Sequence, residues 1–260
     1  MMAEHSPAIM SGAGSCGIWT GPRSGARFLY RAAWAGPAHR VCAKVGSPAF
    51  RTRRPAKPML EATPLILPPP ILASASPRRR QWMEALRIPF EVRAPEVDET
   101  PLAGEEPGAM VARLARAKAE AVAAVHPGRW VIAADTTVAC DHHVLGKPVD
   151  AADATRMLLM IQGRSHQVHT GLCLMRDGEA HAFVDTAEVF LRPVTAAQAA
   201  WYAGTGEPMD KAGGYAAQGI AALFIARIDG SFATVMGFPV ERFGELVGRL
   251  GLLGAWLGMP

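Results

Sequence analysis

Two strand-like segments, 165–175 and 180–191, meet at Asp177-Gly178, and this pairing constrains the fold more than any other feature of the chain. An Asp-Gly dipeptide between β-rich segments is a strong short-range hairpin signal. The hairpin requires an antiparallel sheet. The first half of the chain carries a different pattern, in which short strands alternate with helices and favour parallel pairing. Residues 71–73 read as a strand. Ser76-Pro77 then supplies an N-cap and a first-turn proline for a helix through Trp82, Met83 and Leu86. Residues 90–92 form a second strand, and 108–125 an Ala-rich helix with Met110, Leu114 and Ala117 on one face. A third strand, 130–133, ends at Asp135. A helix over 151–160 is stopped by Gln162-Gly163. Beyond the hairpin, Thr195 caps a helix through Tyr202. A strand over 220–228 turns at Asp229-Gly230-Ser231, and Phe238-Pro239-Val240 leads into a last amphipathic helix ending near Leu253. The order predicts one mixed α/β domain rather than a regular doubly wound sheet.

That domain spans 71–260. Residues 1–70 hold nine Lys/Arg against Glu4 and Glu61, which leaves the remainder with 18 basic and 21 acidic residues. The net charge of +4 therefore belongs to the front end. A basic front attracts nucleic acid or anionic lipid. Rich in Gly and Pro and without periodicity, it reads as a disordered leader that implies no stable nucleic-acid partner. Its Arg-rich, acid-poor composition also fits an organelle transit peptide, but no amphipathic helix is evident. Met59 stands just ahead of the stiff boundary Leu67-Pro68-Pro69-Pro70 and offers a later start. The G-x-G-x-x-G of Gly12 to Gly17 lacks the flanking strand and helix of a dinucleotide site. No run of 18 apolar residues suggests a membrane span. Cys16, Cys42, Cys140 and Cys173 form no C-x-x-C pair and fit a reducing cytoplasm. The chain has no Asn, which excludes N-glycosylation.

Four segments carry chemistry. Ser74-Ala75-Ser76-Pro77-Arg78-Arg79-Arg80 joins a strand to a helix N-terminus, where free N–H groups, hydroxyls and the forks of Arg78 and Arg79 suit phosphate. An ordinary capped helix explains the same residues. Asp135, in Ala134-Asp135-Thr136-Thr137, is a carboxylate at the end of an apolar strand. There it can take a proton from water, hold a divalent cation or simply begin a turn. Lys147, in Gly146-Lys147-Pro148, lies on the far arm of a hairpin and can offset phosphate charge; Pro148 rules out a Walker sequence. Glu99 lies on a loop beside the strand ends, and Lys118 on the polar face of the Ala-rich helix. The segment 207–219 gathers Asp210, Lys211, three glycines, Tyr215 and Gln218, whose amide can read a base edge. His142-His143 and His166-x-x-His169 lack the partners of a zinc centre.

In order, A-S-x-S-P-R-R, A-D-T, G-K-P, E-P-x-D-K-A-G-x-Y-x-x-Q-G and a final G-x-P resemble the Maf family of nucleoside triphosphate pyrophosphatases, also described as septum-formation inhibitors. The resemblance spans 71–250. It implies an elongated α/β domain with a deep cleft, similar to the inosine triphosphate pyrophosphatases and often a homodimer. It also implies metal-dependent hydrolysis, with magnesium or manganese, of a triphosphate to the monophosphate and pyrophosphate. Carried over, Asp135 matches the proton acceptor. Arg78, Thr136 and Gln218 match positions tied to base choice, and Glu99, Lys118 and Lys147 match charged cleft residues, with Asp135 and Glu99 toward the metal. Ser74 and Arg79 fall in the phosphate turn. The A-D-T run resembles the branch acting on dTTP and UTP, whereas the 7-methyl-GTP branch typically has Ser-Asp-Gln there. Departures are Ala75 for a usual Gly, Gly214 for Ala and Phe238 for Leu. The rival expectations are a binding protein that regulates cell division, and a pyrophosphatase acting on another or a modified nucleotide such as 7-methyl-GTP.

Overall fold

The computed structural model describes residues 67–257, and the basic leader, the Gly12 to Gly17 run, Cys16, Cys42 and Met59 lie outside them. Seven strands form one mixed sheet. In chain order the strands are β1 (Ile71–Leu72), β2 (Glu91–Val92), β3 (Val131–Cys140), β4 (His143–Leu145), β5 (Ser165–Arg176), β6 (Glu179–Leu191) and β7 (Ile225–Asp229). Their spatial order is β2-β1-β3-β5-β6-β7, with β4 hairpinned onto the far end of β3. β2, β1 and β3 run parallel, and every pair from β3 outward is antiparallel. β3 is thus where the two sequence patterns join. The chain leaves β1 to one side for β2 and returns to its other side for β3, so a crevice opens at the carboxyl ends of these strands.

The helices are α1 (Pro77–Ala85), α2 (Pro107–Ala123), α3 (Ala151–Ile161), α4 (Ala196–Ala203), α5 (Phe232–Val235), α6 (Val240–Arg249) and α7 (Leu253–Leu257). Apolar spacing decides how they pack. α2 buries Met110, Val111, Leu114, Ala115, Ala119 and Val122 along one face. It lies so close to the sheet that a Cβ on Gly171 of β5 would stand 2.4 Å from the Val111 carbonyl oxygen. Thr195 closes a capping box with Gln198 at the start of α4. The hairpin turn places both Asp177 and Gly178 at positive φ, as a tight two-residue turn requires.

Three expectations shift. The strand at Asp135 continues to Cys140, because its later residues pair with β4 and β5. Residues 220–224 coil into a 3-10 turn, so β7 begins at Ile225. The last helix breaks after Arg249, where Gly251 adopts positive φ, and α7 resumes. Among the described residues no helix is long and apolar enough to cross a membrane.

The core is divided along the strands. One cluster packs Ile132, Ala134, Leu172 and Leu174 beneath α1, α6 and α7, and a second packs Val131, Ala133, Cys173 and Met175 beneath α2. A third takes Val138, Cys140, Val168 and Val189 with α3 and α4. On β3 the polar run Asp135-Thr136-Thr137 fills the gap between them.

Candidate active site

A cleft of about 650 Å³ opens over that gap, and Ser74, Arg78, Arg79, Glu99, Lys118, Asp135, Thr136, Lys147 and Gln218 all line it. It also takes in Asp210 and Lys211, giving five cationic and three acidic side chains. A net positive, partly enclosed surface concentrates anions.

Asp135 is not at the end of a strand. It sits midway along β3, opposite Gly171, and is buried. Lys118 is not on a polar face. It lies four residues from both Leu114 and Val122, so helical spacing puts it on the buried face of α2. Its apolar stem follows the packed surface and its ammonium reaches two carboxylates. Lys118 Nζ is 2.6 Å from Asp135 Oδ1 and 2.6 Å from Glu99 Oε1. One lysine therefore ties a loop, a helix and the central strand. Burial raises the Glu99 pKa, but the Lys118 hydrogen bond and the charges of Lys118, Lys147 and Arg79 outweigh it and hold Glu99 below the usual range.

The phosphate-turn residues are organised by Arg79. This side chain is buried and donates from Nε to Gly237 O at 2.9 Å, from Nη1 to Ser74 Oγ at 3.1 Å and from Nη2 to Thr136 Oγ1 at 3.0 Å. Three of its five N–H groups are thus committed to neutral oxygens. Burial lowers its pKa to about 10, against the opposing pull of Asp135 and Glu99, so it stays charged at neutral pH. Arg78 is more open, with Nη1 3.8 Å from Asp210; burial lowers its pKa and Asp210 opposes the shift. Ser76 occupies the N-cap of α1, yet its side chain makes no capping bond. Instead its N–H donates to Ser74 Oγ at 3.2 Å. The N-terminus of α1 faces the cleft, and Ala75 in place of a glycine is exposed there.

The opposite wall comes from the segments around Lys147 and Gln218. Gly213 N donates to Gly146 O at 3.0 Å, which joins the two. Gly213 has φ of +72° and packs on Val138, whose Cγ2 would lie 2.8 Å from an added Cβ, so only glycine fits. Gln218 is exposed on a loop braced from below by Glu207. Glu207 accepts from Ile220 N at 2.9 Å, from Ala221 N at 3.3 Å and from the Tyr202 hydroxyl at 2.9 Å. The sequence reading gave no role to Glu207, although it stands in the quoted motif. It also passed over Thr170 and Thr234, both fully buried. Thr170 lies on β5 and Thr234 in α5, and neither position carried a local signal that set it apart.

No cluster of three His, Cys, Asp or Glu suited to a metal occurs among the described residues. Asp135 and Glu99 do face one ammonium from two sides, with one oxygen of each engaged there. Two hard carboxylates with oxygens to spare fit magnesium, which takes one or two protein carboxylates and completes its shell with water and phosphate.

A family model described as Maf-like protein matches residues 69–250. The chain is 48% identical over 186 residues to a dTTP/UTP pyrophosphatase of Myxococcus xanthus, covering 72% of this chain and 94% of that protein. A dTTP/UTP pyrophosphatase of Thermus thermophilus is 47% identical over 180 residues, covering 69% and 94%. One from Symbiobacterium thermophilum is 46% identical over 181 residues, covering 70% and 93%. Among solved structures, the Ham1 protein of Staphylococcus aureus aligns with a TM-score of 0.33 and 17% identity, over 46% of this chain and 70% of that one.

Proposed function

The chain belongs to the Maf-like protein family, and on that premise we propose that its cleft hydrolyses dTTP and UTP to the monophosphate and pyrophosphate. The observation that carries this reading is the buried Asp135–Lys118 pair, 2.6 Å apart and open to a cationic cleft. A buried ion pair is a weak source of stability, since desolvation costs several kcal/mol per ion. A fold that keeps one in the wall of a cleft has a chemical use for it.

In this reading, water attacks the α-phosphorus, the bond to the bridging oxygen breaks, and pyrophosphate departs with the electron pair. Asp135 accepts the proton of the attacking water through its free oxygen. Lys118 holds that carboxylate in place and shares its charge with Glu99. Lys147 and Arg78 offset the charge gathering on the phosphates, aided by the N–H groups at the start of α1. A magnesium or manganese ion on Asp135 and Glu99 would polarise the phosphoryl oxygen it touches. Thr136 and Gln218 meet the base. The buried free thiols of Cys140 and Cys173 support a reducing compartment such as the cytoplasm. A homodimer follows from the family resemblance, and light scattering measures it.

The test is release of pyrophosphate from dTTP, UTP, CTP, GTP and 7-methyl-GTP with either metal. Turnover of dTTP and UTP above the rest is expected, and turnover of none of them would sink the proposal. Asp135→Asn should lose at least about a hundredfold in kcat with the fold intact. Full activity in that variant removes Asp135 from the role of base.

A further inference from the structure

Thr136 lines the cleft, and its partners fix the direction of its hydroxyl proton. Arg79 Nη2 lies 3.0 Å from Thr136 Oγ1, and a guanidinium can only donate. Thr170 Oγ1 lies 3.0 Å from the same oxygen, a contact in which either hydroxyl could give the proton. A further bond decides between them. Thr170 Oγ1 is 2.8 Å from the Thr234 carbonyl oxygen, which can only accept, so the single proton of Thr170 is used there. Thr170 must then accept from Thr136. A hydroxyl has one proton and two lone pairs. Thr136 has given its proton to Thr170 and one lone pair to Arg79, and has a single lone pair left for a ligand.

The relay is held at each station. Thr136 and Thr170 sit directly opposite each other across β3 and β5. Thr170 and Thr234 are fully buried, so water does not replace either partner. The Thr234 hydroxyl is itself bonded to Asp185, which lies 3.5 Å from Arg242. Arg79 is fixed by Ser74 and Gly237 as well as by Thr136. The Thr234 carbonyl also takes the Gly237 N–H at 2.9 Å, but reversing the relay would set its oxygen against the Thr170 oxygen at 2.8 Å with no proton between them.

We propose that Thr170 is a positioning residue that presents Thr136 to the nucleotide as a hydrogen-bond acceptor only, so that the cleft selects a base bearing a ring N–H. The inference rests on the reading above, in which Thr136 meets the base of dTTP or UTP. Uracil and thymine carry N–H at ring position 3. Cytosine carries a lone pair there, which would face the lone pair of Thr136. Discrimination against cytosine then comes from the buried relay and not from the size of the cleft.

The experiment compares kcat/KM for UTP and CTP in the wild type, Thr170→Val and Thr170→Ser. Valine keeps the volume and removes the acceptor, so the Thr136 proton is free to turn toward the cleft. The UTP-to-CTP ratio should fall about tenfold in Thr170→Val and stay near the wild-type ratio in Thr170→Ser. An unchanged ratio in a folded Thr170→Val protein overturns the proposal, because a merely structural residue lowers both substrates alike. Should that variant fail to fold, the wild type carries the test with N3-methyluridine triphosphate. Its kcat/KM should lie at least about tenfold below that of UTP, while dTTP, methylated at carbon 5, is turned over well. Equal use of UTP and the N3-methyl compound overturns the proposal. Wild-type protein inactive on both UTP and dTTP fails the parent reading and this one with it.

Discussion

His166 stands behind the cleft wall, buried on β5, with Nε2 2.7 Å from the hydroxyl of Tyr215 and the two rings edge to face. Its Nδ1 is buried with no partner among the described residues. Burial lowers its pKa from 6.5 to about 4. Between those two values the unfolded chain binds the proton and the folded chain does not. Stability therefore rises with pH across that window and is lost as pH falls from 6.5 toward 4. The loss from this residue is about 3 kcal/mol. His166→Gln keeps a group able to meet Tyr215 and removes the titration. Urea unfolding at steps from pH 7 to 4 should show a shallower decline in the variant, and parallel curves would refute the assignment. At this scale some of the site was legible. Asp135 stood out because a carboxylate ends an apolar run, and Lys147 and Gln218 because glycines flank or approach them. Thr170 did not, since threonine is an ordinary strand residue and its role depends on what lies across the sheet. Lys118 was misplaced because a charge suggests solvent, although its spacing from Leu114 and Val122 already pointed inward.

Elements set how accurately such residues meet. α2 carries Lys118 and β3 carries Asp135, so the 2.6 Å contact depends on how closely the helix approaches the sheet. Gly171 sets that approach, since an added Cβ would meet the backbone of Val111 and Ala112 at 2.4 to 3.0 Å. These are backbone atoms and cannot move aside as a side chain would. Gly171→Ala should push α2 outward and cost about 1–3 kcal/mol, as overpacking does. It should also lower kcat, because Lys118 moves with the helix. Thermal unfolding and UTP turnover of the one variant check both, and unchanged activity in a destabilised protein would separate α2 from the chemistry. The hairpin, the capped α4 and the early strand–helix alternation were readable, because turn and cap chemistry is local. The length of β3 was not, because its polar centre is held in the sheet by pairing with β5, which no local signal encodes.

In the whole molecule, the strands are long enough to serve separate cores at their two ends, and the cleft is where those ends meet. β3 gives Ile132 and Ala134 to the cluster under α1 and α6, and Val138 and Cys140 to the one under α3 and α4. The sequence marked the fold as mixed α/β but carried no sign of this division, which arises only when β3, β5 and β6 lie side by side. A nucleotide seated between the α1 turn and the 207–219 segment would touch walls supported by both cores, and so stabilise both. A UTP analogue with an imido bridge between its α and β phosphates binds without being cleaved. At about a hundred times its Kd, mass action adds about 2.7 kcal/mol to the folded state. For a domain of this size that raises Tm by about 5–10 °C. Hydrogen exchange should slow on both sides, in α1 and α2 and in 207–219. Protection confined to one side, even with a raised Tm, would mean that the nucleotide rests on one wall and does not bridge the cores.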